Sequence, residues 1–332
     1  MKAISTREDI YQTVNAFRQS RALLTAVELD VFSAVHAGAR SSEEVAARCG
    51  SDPRATDRLM NVLVGMGLME KEDGVFCNSA VAATHLVRGA TDYLGNLAHV
   101  SHLWDYWTDL TPAVRGGTKP MQDSTADRGE EWLESFIAAM HHRGVPQAPA
   151  DINLIDFHDA AHVLDIGGGS GVYAMAMLRV KQDLRATVFD LPEVVPLTRR
   201  YIAEAGMEER MDTRAGDYNS DDIGSGYDLV FLSAIIHSNS PAENRGLLAK
   251  CAAALNPGGQ VVVQDFIMDE DRVRPEHGAL FALNMLVATT AGDTYTATEV
   301  ESWMHDAGLR DVIVRDAPSG ATQVVGKYIA NG

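Results

Sequence analysis

Four stretches of this 332-residue chain carry side chains whose type and spacing could do chemistry. The first, Val163-Leu164-Asp165-Ile166-Gly167-Gly168-Gly169-Ser170-Gly171, ends a short apolar run in an acid and passes through glycines into Val172–Val180, which can form a helix. This is the pattern of a buried parallel strand, a tight turn and a helix. Glycine lets such a backbone turn sharply and approach a ligand without Cβ interference. The second is Val188-Phe189-Asp190-Leu191-Pro192, where an acid at a strand end can accept two hydrogen bonds from a ribose diol. The third, Gly216-Asp217-Tyr218, suits the exocyclic amine and the face of an adenine. The fourth is Leu232-Ser233-Ala234-Ile235-Ile236-His237, which puts an imidazole after another apolar run. Histidine can take or give a proton near neutral pH. A glycine loop with a ribose acid suits a dinucleotide or S-adenosylmethionine, and these stretches alone leave that choice open.

The elements that must position these residues begin at Ala161, where strand-length apolar runs alternate with helical patterns. Strands are expected at His162–Ile166, Ala186–Phe189, Met211–Ala215, Asp228–Leu232 and Gln260–Phe266. Helices are expected near Val172–Val180, Val194–Ala205 and Pro241–Leu255, the last ended by Asn256-Pro257-Gly258-Gly259. A helix over Ala297–Ala307 precedes two β-rich runs, Asp311–Val314 and Thr322–Ile329, whose short Pro318-Ser319-Gly320 connection makes them an antiparallel hairpin. The reading is a Rossmann-like, doubly wound α/β sheet of seven strands with ligands beyond the carboxyl ends of the strands.

The preceding residues read differently. Thr6 to Val35 carries two helical patterns, with Ile10, Val14 and Phe17 on one stripe and Leu23, Val27 and Val31 on another. Ser41-Ser42-Glu43-Glu44 is a capped helix start, and Asp52-Pro53 opens a second helix that Gly67 stops. Leu68–Phe76, broken at Asp73-Gly74, reads as a hairpin. Together they form a winged helix. Such a fold could enter a DNA groove, but only Arg54 and Arg58 offer obvious phosphate contacts, and the chain has a formal net charge of −18. A dimerisation module with exposed apolar helices fits better. The expected division is a dimerisation domain at 1–110 and a catalytic domain at 111–332, with 111–160 supplying helices that border a pocket.

Gly116 to Asp127 reads as a connecting loop, followed by a periodic helix from Arg128 to His142 with Trp132, Phe136 and Met140 on one face. No run approaches the ~20 apolar residues that span a bilayer, and Met1–Ile10 has no apolar core of a signal peptide. The three cysteines, Cys49, Cys77 and Cys251, lack metal-site spacing and suit reduced thiols in the cytoplasm.

A doubly wound sheet finished by an antiparallel hairpin resembles the class I S-adenosylmethionine-dependent methyltransferases. Over nearly its whole length the chain resembles the plant caffeate and hydroxyindole O-methyltransferases and their bacterial relatives. Leu164–Gly171, Asp190-Leu191-Pro192, Gly216-Asp217-Tyr218 and Asn256-Pro257-Gly258-Gly259 match that family's motifs in order. The resemblance implies a metal-independent homodimer acting on a small-molecule acceptor, with no nucleic-acid or membrane partner. It places Asp165, Gly167 and Gly169 against the methionine part of the cofactor, and Asp190 and Leu191 at the ribose. Gly216, Asp217 and Tyr218 fall on the adenine side, where Ser233 stands in place of a lysine common in plant members. It makes His237 the catalytic base and Asp265 its acidic partner, with Phe136, Met140, His141, Asn284 and Met285 lining the acceptor pocket. Two departures stand out: Ser238-Asn239 replaces the Asp-Trp that usually follows the histidine, and Thr294, beside Asp293, replaces a second acid. A thioether or an already ionised acceptor would tolerate that weaker base. S-, N- or C-methylation and a cofactor-sensing regulator therefore remain rivals to O-methylation.

Overall fold

The protein is described by a computed structural model covering residues 3–90, 92–119 and 129–329. Most of the expected Gly116–Asp127 loop, and Arg128, therefore lie outside the described residues. The chain divides into two compact units, Met1–Trp104 and Asp105–Gly332, with the division inside one helix.

The first unit contains α1 (Arg7–Asn15), α2 (Phe17–Glu28), α3 (Val31–His36), α4 (Ser42–Cys49), α5 (Pro53–Gly65), the hairpin β1 (Met69–Glu72) and β2 (Val75–Asn78), and α6 (Ala80–His85). Ser41 and Glu44 close a reciprocal capping box at α4, and the Asp52 carboxylate accepts from the Ala55 N–H at the start of α5. Two helices were expected between Thr6 and Val35, and three are present. Asp30 adopts a left-handed φ of 57° that breaks the second pattern, so Val31 opens α3. The core gathers Val31, Phe32, Val45, Met60, Leu63, Met69 and Phe76. Ile10, Val14 and Phe17 stay outside it, each more than half exposed.

From the first unit α7 (Leu97–Thr108) leads into the second. There follow α8 (Leu110–Gly116), α9 (Glu130–Ile152), β3 (His162–Ile166), α10 (Val172–Val180), β4 (Arg185–Asp190), α11 (Val195–Glu204), β5 (Met211–Ala215) and β6 (Tyr227–Ser233). The chain continues through α12 (Pro241–Ala254), β7 (Leu255–Asp265), β8 (Ile267–Met268), α13 (Glu276–Ala288), β9 (Tyr295–Thr296), α14 (Ala297–Asp306), β10 (Leu309–Asp316) and β11 (Thr322–Tyr328). Seven strands form one sheet in the order β10-β11-β7-β6-β3-β4-β5. The pairs from β7 to β5 are parallel, and β11 and β10 add antiparallel strands at the edge.

Alternation along the strands sorts side chains to two faces. Leu164, Ile166, Val230 and Leu232 pack with Leu247, Trp303 and Met304 of α12 and α14. Val163, Leu229, Phe231 and Val262 pack with Met175, Leu178 and Ile202 of α10 and α11 and with Ile152 of α9. The chain winds outward from β3 to β5 and returns at β6, so the sheet reverses direction between β3 and β6. Ligands bind beyond the carboxyl ends of strands at such a switch point.

Helix α9 runs ten residues past its expected end at His142, through Pro146 and Pro149. Prolines usually stop helices. Here Ala148 and Ile152 are buried against the sheet layer, and tertiary packing overrides the local signal.

Candidate active site

At the carboxyl end of β3, the glycine turn is closed by its neighbours. Gly167 has φ +61°, and a Cβ there would sit 2.3 Å from Ile235 Cδ1, so neither conformation nor space admits a side chain. The Gly169 N–H donates to Asp190 Oδ2 at 2.8 Å, and the Leu191 N–H donates to Asp190 Oδ1 at 2.8 Å. The turn and the end of β4 are thus locked through one carboxylate.

Asp165 lies beneath this turn, and its Oδ2 is buried without a hydrogen-bond partner. Desolvation, then the nearby Asp190 charge, push its carboxyl up to about 7 against an opposing backbone hydrogen bond from Ala174. Desolvation also raises Asp190 to about 6, and the two backbone donors oppose it. A pyrophosphate would meet two buried acids here, whereas an ammonium or hydroxyl donor would satisfy them.

Asp217 caps its own loop, accepting from the Asn219 N–H at 2.8 Å. Lys250 Nζ pins that loop through the carbonyls of Tyr218, Asn219 and Asp221. A Cβ added at Gly216 would lie 2.6 Å from the Phe189 ring, so this glycine also permits close packing. The Tyr218 ring borders Gly167, and its buried hydroxyl, raised to about 12 by desolvation, donates to Asn239 Oδ1 at 3.2 Å.

His237 sits in a single 3-10 turn, Ile236–Ser238, beyond β6. Its Nδ1 is 2.7 Å from Asp265 Oδ1, with both side chains buried. An ionised carboxylate only accepts, so Nδ1 carries the proton and Nε2 the lone pair. Asp265 is itself held by the Phe266 N–H at 2.8 Å. The backbone of the turn is fixed from both sides: Asn244 Nδ2 donates to the Ile236 carbonyl at 2.9 Å, and the Asp293 N–H donates to the His237 carbonyl at 3.0 Å. Phe281 of α13 packs edge-on against the imidazole at 4.8 Å between centroids.

Residues expected at the site therefore separate into groups. Asp165, Gly167, Gly169, Asp190 and Leu191 converge on the glycine turn, with Tyr218 at its edge, and His237 pairs with Asp265. Ser233 turns elsewhere: its hydroxyl accepts from Gln264, which also donates to the buried Asp151 beneath the sheet. Phe136 stacks on Trp132 at 5.2 Å and joins Leu191, Val194 and Tyr201 in a satellite core. His141 hydrogen-bonds Ser170 of the glycine turn at 2.9 Å and stacks on Tyr201, while burial lowers its pKa. Asn284 accepts from Trp107 Nε1 at 3.0 Å. Met140 is half-buried on α9, and Met285 is buried on the inner side of α13.

Residues at the two departures have their own bonds. Asn239 is buried, bonded to Tyr218, Asn244 and the Tyr295 hydroxyl. Asp293 pairs with Arg272, and Thr294 is buried beside it. Asn239 entered the sequence reading only as part of a departure after the histidine, and Phe281 did not enter it. The polar pair Ser238-Asn239 after the histidine was the available signal for the first. The second lies in an apolar helix with no periodic mark.

Residues 120–310 match the O-methyltransferase domain family, and residues 11–88 match the O-methyltransferase dimerisation domain. The chain belongs to the O-methyltransferase family. It is 36% identical over 314 residues to the 3-hydroxy-5-methyl-1-naphthoate 3-O-methyltransferase of Streptomyces sahachiroi, covering 92% of this chain and 91% of that one. It is 32% identical to the tetracenomycin polyketide synthesis 8-O-methyl transferase TcmO of Streptomyces glaucescens, over 96% of both. The solved structure of PigF with SAH superposes with a TM-score of 0.90 at 26% identity, covering 97% of this chain and all of that one. This O-methyltransferase is thus an S-adenosylmethionine-dependent methyltransferase, and its unpartnered Asp165 oxygen and side-chain-free turn fit that cofactor. Among the described residues no group of three or more His, Cys, Asp or Glu is arranged to hold a metal ion, and no helix is long and apolar enough to cross a membrane.

Proposed function

We propose that this enzyme methylates a hydroxyl of a small aromatic acceptor, with His237 as the general base and Asp265 as its orienting partner. The observation that carries the reading is the buried 2.7 Å contact between His237 Nδ1 and Asp265, which leaves Nε2 basic. S-adenosylmethionine, when bound, supplies an electrophilic methyl group and leaves as a neutral thioether. Asp165 and the turn at Gly167–Gly169 would hold its methionyl part, Asp190 and Leu191 its ribose, and Gly216, Asp217 and Tyr218 its adenine side. The remaining work is to orient the hydroxyl, exclude water and remove its proton. His237 takes that proton at Nε2, and Asp265 stabilises the resulting imidazolium. Phe281 and Phe266, whose rings are tilted 52° to each other, give the acceptor an apolar wall. His141, bonded to Ser170, serves the glycine turn as a positioning residue.

The names of two relatives support an aromatic hydroxyl: one acts on a hydroxylated naphthoate, the other at the 8-O position in tetracenomycin synthesis. The exposed row Ile10, Val14 and Phe17, at the start of a dimerisation-domain match over residues 11–88, supports a homodimer formed through residues 1–110, with catalysis in 111–332. Three free thiols suit a reducing cytoplasm.

A panel of hydroxylated aromatics, thioethers, thiols and amines with methyl-labelled cofactor tests the reading. It expects label in an aryl methyl ether; label found only on sulfur, nitrogen or carbon would overturn it.

A further inference from the structure

Helix α9 brings one cation to the aromatic wall beside His237. The Arg143 guanidinium carbon lies 5.5 Å from the centroid of the Phe266 ring. Phe266 meets Phe281 at 4.6 Å, and Phe281 meets His237 at 4.8 Å. Two consecutive ring contacts therefore link the arginine to the imidazole, and His277 also packs on Phe266 at 5.4 Å. Both phenylalanines are half-buried, so part of each ring stays open beside the cation and the base. Arg143 is exposed, and among the described residues it pairs with no carboxylate, in a chain with 46 acidic side chains against 28 basic ones. An arginine stacked on a ring keeps the edge of its guanidinium free, and that edge matches a carboxylate in a two-pronged hydrogen bond.

Building on the hydroxyl-methylation reading, we propose that Arg143 binds a carboxylate of the acceptor, so that the preferred substrates are aromatic hydroxy acids. The acid end seats at Arg143, the ring lies along Phe266 and Phe281, and the hydroxyl is presented to His237. A carboxylate so held selects among phenols by their far substituent and leaves the methylated hydroxyl to the base.

The test compares hydroxybenzoic and hydroxynaphthoic acids with their methyl esters, using wild-type enzyme, Arg143→Gln and Arg143→Lys, with cofactor Kd measured in parallel. Wild type should favour the acids. Arg143→Gln should raise KM for the acids roughly 10- to 100-fold, the range for lost hydrogen bonds to a charged group. KM for the esters, kcat and cofactor Kd should stay within a few-fold, and Arg143→Lys should recover part of the loss. Equal KM for acids and esters in wild type, or an equal penalty on both in Arg143→Gln, would overturn the Arg143 assignment while leaving hydroxyl methylation standing. If no acid or ester is methylated at oxygen, the underlying reading falls and the proposal with it.

Discussion

Asp165 and Asp265 are both buried acids at the carboxyl ends of parallel strands on either side of β6, yet their surroundings are opposite. Asp265 has a histidine at 2.7 Å and a backbone donor at 2.8 Å, so its charge is answered from within the chain. Asp165 has an oxygen with no partner, a second acid nearby and a carboxyl raised to about 7. The His237–Asp265 pair finds its partners within the fold. The donor side is built around a deficit that a hydroxyl- or ammonium-bearing ligand would fill. On the proposed reading this is a division of labour: one half stores an unmet demand for the cofactor, and the other holds a base ready.

That division implies separable defects. His237→Ala should lower kcat on the order of 10²-fold or more, the range for general-base help, with cofactor Kd unchanged by titration calorimetry. A parallel loss of cofactor binding would break the separation. Asp190→Ala should do the reverse, weakening S-adenosylmethionine about 10- to 100-fold by removing a charged acceptor, and abolishing the cofactor's thermal stabilisation.

A pH series sharpens the same contrast. The folded pKa of Asp165 lies above its ordinary 3.8, so folding penalises the ionised form, and its contribution to stability is lost as pH rises from about 4 through about 7. Cofactor-free Asp165→Asn should therefore melt progressively higher than wild type between about pH 5 and pH 8, by several degrees at the upper end. A gap that is constant or shrinks with pH would contradict the buried, unanswered charge. The smallest effect is expected at His141→Ala. Loss of one hydrogen bond to Ser170 should raise cofactor Kd about 3- to 10-fold and leave acceptor KM alone. If acceptor KM moves instead, His141 belongs to the pocket, as its place on the helix first suggested.

The donor side was legible in the sequence because its information is local. A strand, an acid, a run of glycines and a helix lie within about twenty residues, and Asp190 and Gly216 each end the next strand. The capped starts at Ser41 and Asp52 were legible for the same reason. The acceptor side draws on turns and helices far apart in sequence. Phe281 and Arg143 meet the histidine's surroundings only through the fold, and no spacing rule joins them. The helix end read too early had the same cause: α9 continues past its prolines because Ala148 and Ile152 are buried, and it carries His141 to the glycine turn, where it bonds Ser170. Ser233, expected by resemblance on the adenine side, bonds to Gln264, which also donates to Asp151.

The central claim is that His237 removes the acceptor's proton, and single-turnover methyl transfer measures it most directly. Wild type and His237→Ala should be compared over hydroxylated aromatics of decreasing hydroxyl pKa, at fixed pH and saturating cofactor. The loss should be largest, on the order of 10²-fold or more, for weakly acidic hydroxyls and should shrink as the acceptor becomes ionised in solution. A loss independent of acceptor acidity, or near-normal transfer to weakly acidic hydroxyls, would contradict it.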